Sequence, residues 1–521
     1  MTAERGNLVG VIGAGIAGLV TAKVLRDDGF RVVVFEKEAA PGGVWIESRT
    51  YPGLRTNNSR DTYAFSDHPY AESADVFPTA GQVREYLSSY IDRFGLTPYL
   101  RLSTEILRVS EADNGFELQV SGPEGVGTER VDFLVVCAGT FSEPNIPFIK
   151  GSERFGGKLL HSSQATDPEL FTGKRVVVVG AGKSALDCAD YAGEHARDCT
   201  LVFRKPYPMM PRYIFGVPSD QYTQNRFYEA FFRYHRLNRV ERFLHGSGAP
   251  IRDRFWRTVG AGMRLSLRMP KVMVPDEPLP NGVEHAGLCE DFYRSARRGA
   301  IRLRRGSIAS CSGEAQLELH SGDRIAADVV VFATGWRQSL TFLSPELRAA
   351  VLEEGRFRLY RHILPPSLPR LGFIGYGAST ACQLTAEVSA HWLAQQFRGE
   401  LDLPSPDAMQ AEITRVGKWV AEVMPGRPEG YYVGPYLSHH IDELMGDMGL
   451  PVRRTDNFLS EYFDTFLPSR YCDLTEERLR VRERAGRKRR HPLRYLSAGG
   501  SLGGVAVLTL AWAAYRKMRE R

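Results

Sequence analysis

The stretch that most limits what this chain can become is residues 9–36. An apolar run leads into Gly13-Ala-Gly15-Ile-Ala-Gly18, an amphipathic segment follows, and a second apolar run, 31–35, ends on the carboxylate of Glu36. A lone G-x-G-x-x-G is a weak signal. Set between strand and helix patterns, with an acid at about the 20-residue spacing of a ribose-binding carboxylate, it predicts a strand–turn–helix–strand unit that binds a dinucleotide. The three glycines are needed for different reasons. Gly13 makes the tight turn, Gly15 lets backbone approach a pyrophosphate, and Gly18 lets the helix lie on the strand. Glu36 is then placed to accept from ribose hydroxyls. Pro41-Gly-Gly43-Val-Trp45 follows as a second loop of close approach, with Gly43 passing a flat ligand and the Trp45 ring beside it.

The pattern recurs at 175–185, where Gly180, Gly182 and Ala185 fill G-x-G-x-x-A and a helix is expected through 187–192. Its second strand, 200–203, ends on Arg204-Lys205 instead of an acid. A 2′-phosphate needs cations where a free 2′-hydroxyl takes a carboxylate, so the second turn is expected to bind NADPH and the first FAD. Two more apolar runs, 131–140 and 328–335, end in Ala-Gly-Thr140 and Ala-Thr334-Gly335. They read as return strands of two nucleotide domains joined by crossings, with small residues where the chain approaches something closely. A strand and glycine loop at 371–380 and an amphipathic helix over 384–397 would bring the chain back to the first domain.

The expected fold class is therefore α/β: two Rossmann-like dinucleotide-binding domains, the NADPH domain inserted into the FAD domain, plus a hydrophobic C-terminal helix. The expected boundaries are 1–150 and 331–475 for the FAD domain and 151–330 for the NADPH domain. A basic linker and membrane anchor would fill 476–521. Residues 206–281 break the pattern. Their aromatic and basic residues, as at 228–237, suit core packing, a helix over the substrate entrance, or a membrane face. The stripe Val83, Tyr86, Leu87, Tyr90 predicts a helix over 82–94, while 51–69 reads as loop, in which Asn57 and Asn58 can cap turns.

Composition narrows the chemistry. The seven cysteines show no C-x-x-C spacing, so neither a redox dithiol nor a structural zinc is expected, and no metal site is proposed. H-x-x-x-H and G-x-x-x-x-G-K-[ST] are both missing from the sequence. His68, His161 and Trp336 are read as structural, the usual role of such lone residues. The net charge of +6 is not spread evenly: residues 478–521 hold thirteen Lys/Arg and two acids, which leaves the body with an excess of acid. These cations flank the 21 uncharged residues of 495–515, a pattern for a membrane and not for nucleic acid. The first residues carry no signal pattern, so the body is expected in the cytoplasm, anchored by its C-terminus. Whether it forms a homo-oligomer the sequence leaves open.

Phe155-Gly-Gly-Lys-Leu-Leu-His161 fits the signature F-x-G-x-x-x-H just ahead of the second glycine turn, although Ala165-Thr166 stand where that signature usually ends in an aromatic–basic or Trp-Pro/Asp pair. With Gly42-Gly43-Val44-Trp45, Phe77-Pro78, 132–147 and Ala333-Thr-Gly-Trp336, this makes 9–403 resemble the class B flavoprotein monooxygenases, specifically the flavin-containing monooxygenases. The resemblance implies that NADPH reduces FAD, that NADP⁺ stays bound, and that a C4a-hydroperoxyflavin oxygenates a soft nitrogen or sulfur of a small organic substrate. Asn57 stands where nitrogen- and sulfur-oxidising members carry an asparagine and Baeyer–Villiger members an aspartate, whereas Tyr51-Pro-Gly-Leu-Arg55 resembles the Baeyer–Villiger group. The neutral amide favours heteroatom oxygenation. Ketone oxidation, or a reductase passing electrons to a membrane acceptor, is the alternative.

Overall fold

The computed structural model describes residues 7–426 and 432–487, and two five-stranded parallel sheets organise them. The first sheet runs, in spatial order, Leu371–Phe373, Phe133–Val136, Leu8–Ile12, Arg31–Phe35, Leu100–Arg101. The second runs Arg302–Arg305, Asp198–Phe203, Arg175–Val179, Val329–Phe332, Lys158–His161. In both, the strand that feeds the glycine turn is central, and its valine-rich sequence follows from burial on both faces. Helices Ile16–Asp27 and Lys183–His195 carry the chain across to the next parallel strand. The mixed α/β architecture with Rossmann-like parallel sheets is as expected.

Strand Leu371–Phe373 belongs to the first sheet although the whole second sheet precedes it in sequence. The chain therefore crosses between sheets twice, and the two crossings run side by side. Glu143–Pro144 pairs antiparallel with Trp336–Arg337, the Thr334 hydroxyl donates to the Asn145 carbonyl at 2.5 Å, and the Asn145 amide donates to the Gly335 carbonyl at 3.0 Å. Gly335, at φ +87°, makes the turn into this ribbon.

The F-x-G-x-x-x-H stretch is explained by packing. Phe155 lies in the core under the second sheet with Val177 and Val330. A Cβ on Gly157 would fall 2.2 Å from the Asp328 carbonyl, so only glycine lets this strand reach its neighbour. His161 is fully buried. Its Nε2 lies 3.0 Å from the Gly335 carbonyl and its Nδ1 accepts from the Ser163 amide at 3.2 Å, an arrangement for neutral imidazole, and burial lowers its pKa. The signature histidine thus anchors the crossing ribbon. Trp336 packs edge-on against it at 4.7 Å.

Helix Ala80–Arg93 buries the predicted stripe and begins with a capping box between Thr79 and Gln82. Helix Cys382–Phe397, in contrast, is not amphipathic: it is buried on nearly every side, because it lies between helix Ile16–Asp27 and helix Leu437–Asp447. Within 206–281, residues 228–237 do not form one helix. After the short helix Arg226–Glu229 the chain turns and buries Phe231, Phe232 and Tyr234 against Trp256 and Trp419, which decides for core packing. Stacking of Phe231 on Phe255 at 3.8 Å is part of that core.

The expected basic linker starts, over Leu474–Arg487, as a helix docked on the body. Arg478 is 2% exposed, because its guanidinium meets Asp28 at 2.5 Å and His391 Nδ1 at 2.9 Å, and Arg482 reaches Glu400. A buried cation needs such partners. The anchor expected at 495–515 lies outside the described residues. Among the described residues, no helix is long and apolar enough to cross a membrane.

Candidate functional site

The first glycine turn is packed as its sequence requires. Gly13 has φ +104°, and a Cβ on it would meet the Cys137 carbonyl at 2.7 Å; on Gly18 a Cβ would fall 1.8 Å from the Gly13 carbonyl. Gly15 and Gly43 face each other: a Cβ on either would come within 3.2–3.5 Å of the other's Cα. Two bare backbones thus form the walls of a slot at the start of helix Ile16–Asp27. That helix has no side-chain cap, so its first N–H groups are free for an anion. Glu36 is buried beside the turn and accepts from the Ala14 amide at 2.7 Å and the Glu38 amide at 3.0 Å. Backbone donors thus fix its orientation. Trp45 is buried too, but its indole N–H donates to Tyr63 Oη at 3.1 Å and its ring meets Tyr63 edge-on, so its visible work is packing.

The second turn repeats the plan with a different surround. Gly180 has φ +140°, and a Cβ there would lie 2.4 Å from the Ala333 carbonyl. Ala185, where the first turn has Gly18, is fully buried under it. Gly182 caps helix Lys183–His195 with no side-chain hydrogen bond, and a Cβ on it would meet nothing within 4 Å. The cradle is open to whatever approaches the helix N-terminus. Arg204 and Lys205 are exposed at the end of Asp198–Phe203, as predicted. Sequence reading missed their neighbours. Strand Arg302–Arg305 lies alongside and adds Arg304 and Arg305, and Arg305 donates to the Arg204 carbonyl and pairs with Asp276, while Lys205 stands 3.8 Å from Glu277. Parallel pairing of distant strands, invisible in a linear reading, assembles this basic edge.

Thr334 and Gly335 sit in the crossing ribbon, between the two turns. The loop 45–51 joins the same junction: the Arg49 guanidinium lies 5.0 Å from the Trp336 ring centroid and donates to the Phe141 carbonyl at 2.7 Å. A cleft of about 780 Å³ opens beside this loop, lined by Glu38, Ile46, Tyr51, Arg84 and Thr166. This volume is in the range of ligand sites.

The two asparagines separate in role. Asn58 is buried and donates to Thr62 Oγ1 at 3.3 Å, the turn-bracing part. Asn57 is exposed, its Oδ1 only 3.5 Å from the Leu288 amide, and its NH₂ group has no partner among the described residues. The loop is seated by a residue that sequence reading did not single out. Asp220, buried in the 206–281 region, accepts on one carboxylate oxygen from the Ser59 amide (2.8 Å), Ser59 Oγ (2.6 Å) and Thr62 Oγ1 (2.5 Å).

Among the described residues, no group of His, Cys, Asp or Glu is arranged to hold a metal. Uncapped helix N-termini, bare glycine walls, a buried acid at one strand end and exposed cations at the other fit FAD and NADPH respectively.

The flavin-binding monooxygenase-like family model matches residues 6–246 and 288–444. A probable flavin-containing monooxygenase of Arabidopsis thaliana is 28% identical over 88% of this chain and 94% of its own. Among solved structures, S-allyl-L-cysteine S-oxygenase from Allium sativum superposes with a TM-score of 0.60 at 21% identity, covering 92% of this chain and 93% of that one. Caprolactone-bound cyclohexanone monooxygenase gives 0.64 at 18% identity, over 84% and 96%. With its two glycine turns and their opposite charges in place, the chain belongs to the flavin-binding monooxygenase-like family and is an NADPH-dependent flavin monooxygenase with FAD and NADPH as its cofactors.

Proposed function

We propose that this enzyme oxygenates a soft nitrogen or sulfur of a small organic substrate, with FAD held by Gly13, Gly15, Gly18, Glu36, Gly43 and Trp45. NADPH would be held by Gly180, Gly182, Ala185, Arg204 and Lys205, with Thr334 and Gly335 between the two. When bound, FAD takes hydride from NADPH and activates O₂, so that one oxygen atom goes to the substrate and the other leaves as water. The chain's own residues bind, orient and keep water out. The domain division 1–150, 151–330 and 331–475 belongs to this reading.

The observation that carries the proposal is Asn57: a neutral amide with a free NH₂, on a loop whose other polar side chains are already engaged. An amide donates a hydrogen bond without removing a proton, which suits attack by a soft nucleophile. The Tyr51-to-Arg55 resemblance to ketone oxidisers carries less weight, because packing accounts for both ends. Tyr51 bonds Ser184 and Asp187, and Arg55 pairs with Asp75 at 2.6 Å.

The experiment is a parallel turnover of a thioether and a cyclic ketone under ¹⁸O₂, scored by labelled product per NADPH consumed. Labelled sulfoxide without lactone is expected. Lactone as the main product would move the enzyme to the ketone branch, and NADPH loss without labelled product would make it a reductase. A body anchored to a membrane through 495–515 completes the proposal. Removing 488–521 is expected to release the enzyme from the membrane fraction.

A further inference from the structure

We propose that Tyr51 and Asp220 are positioning residues that fasten the Asn57 loop to the second unit, so that loading the second glycine turn fixes the Asn57 amide in place. This rests on the role given to Asn57 above.

The loop lies in sequence between strands Arg31–Phe35 and Leu100–Arg101 of the first sheet, yet its fastenings lead elsewhere. Tyr51 is 6% exposed and packs in the core of the second sheet with Ala181 and Ala185. Its hydroxyl lies 3.0 Å from Asp187 Oδ2 and 3.3 Å from Ser184 Oγ, both in the first turns of helix Lys183–His195. Asn57 touches Leu288, and Ser59 and Thr62 converge on Asp220. Among the described residues, the hydrogen bonds and ion pairs of 52–62 to its own unit run to the neighbouring stretch 72–80, through Thr56 to Pro78, Ala80 to Leu54, Arg60 to Glu72, Ala74 and Val76, and Arg55 to Asp75.

A route from ligand to loop runs through Lys183, which follows Gly182 and is paired with Asp187. A pyrophosphate at the uncapped helix N-terminus attracts the Lys183 ammonium away from Asp187. Asp187 then has the Tyr51 phenol as its main partner, and a hydrogen bond to a less compensated carboxylate is the stronger one. The far end of the loop is held independently: Asp220 is 3% exposed, and its Oδ1 has no partner among the described residues, so the whole hold is on Oδ2.

The test is amide hydrogen exchange of a peptide covering 51–62 in the FAD-loaded full chain, with and without NADP⁺. NADP⁺ is expected to slow exchange several-fold in the wild type. Tyr51→Phe should lose that slowing while its melting temperature stays close to wild type. Asp220→Ala should exchange quickly in both states and divert reducing equivalents to hydrogen peroxide while NADPH still reduces the flavin; Asp220→Asn, which keeps an acceptor oxygen, should restore most of the coupling. Equal exchange with and without NADP⁺ in the wild type, or full slowing in Tyr51→Phe, overturns the inference. If the slowing behaves as described but no labelled product forms from any substrate, the fastening stands and the oxygenation reading falls.

Discussion

The two glycine turns share one plan and differ in their surroundings. The first is closed: Gly15 looks onto Gly43, Glu36 is buried, and its acid is bound by backbone amides. The second is open: Gly182 looks onto empty space, and Arg204 and Lys205 stand at the surface. On the reading proposed above, the same strand–turn–helix would serve a resident cofactor in one place and an exchanging one in the other. What differs is how much protein is laid over the pyrophosphate and which charge ends the second strand.

Gly18→Ala should break this contrast most severely. Its Cβ would fall 1.8 Å from a backbone carbonyl, so the purified variant should carry little flavin and melt far below wild type. Gly182→Ala, with nothing within 4 Å, should fold, stay yellow and lose affinity for NADPH alone. Flavin absorbance per protein and a thermal melt read both. Next, replacing Arg204 and Lys205 together by Ala should raise KM for NADPH about 10- to 100-fold and leave KM for NADH nearly unchanged, a split that steady-state kinetics shows directly. Glu36→Gln should weaken FAD by about tenfold in a flavin-release titration without altering KM for NADPH.

The smallest expected effect concerns pH. Glu387, in the buried helix beneath the first unit, accepts from the Ser66 amide and hydroxyl, and burial raises its pKa from 4.5 to about 7. Asp190, on the second unit's helix, is raised by burial to about 6. A folded acid with a raised pKa holds its proton more tightly than the unfolded chain. Its contribution is complete below the unfolded value and is lost as pH climbs through about 7, a change on the order of 3 kcal/mol for Glu387. Melting temperature should fall across that window, and Glu387→Gln should flatten the slope.

Much of this was legible from local pattern. Gly18 is explained by a contact within its own strand–turn–helix and Arg204-Lys205 by their place at a strand end, both within short stretches of chain, whereas Gly13 and Gly180 also make room for the Cys137 and Ala333 carbonyls of distant segments. Helix Cys382–Phe397 departs from the amphipathic expectation because its solvent side is covered by helix Leu437–Asp447, a partner some 50 residues on, and burial on both sides removes the need for a polar face. The aromatic run at 228–237 is ambiguous in sequence for the same reason. Its cover, Trp419, comes nearly two hundred residues later. Of the candidate site, Asp220 escapes a linear reading, since a lone acid in an irregular stretch carries no spacing that marks it, and Tyr51 is legible only as part of Tyr51-Pro-Gly-Leu-Arg55, not by its ties to Ser184 and Asp187.

The sequence by itself determined the two glycine turns, the opposite charges that end their second strands and the family resemblance, because the positive-φ glycine positions and the strand-end charges are set by residues close together in the chain. Only the tertiary structure decided that Asn57, and not Asn58, is free to meet a ligand, and that its loop is fastened to the opposite unit. The reason is physical: burial and hydrogen-bond partnership belong to whatever lies nearby in space, and for this loop those neighbours include Ser184, Asp187, Asp220 and Leu288, all more than a hundred residues away in sequence.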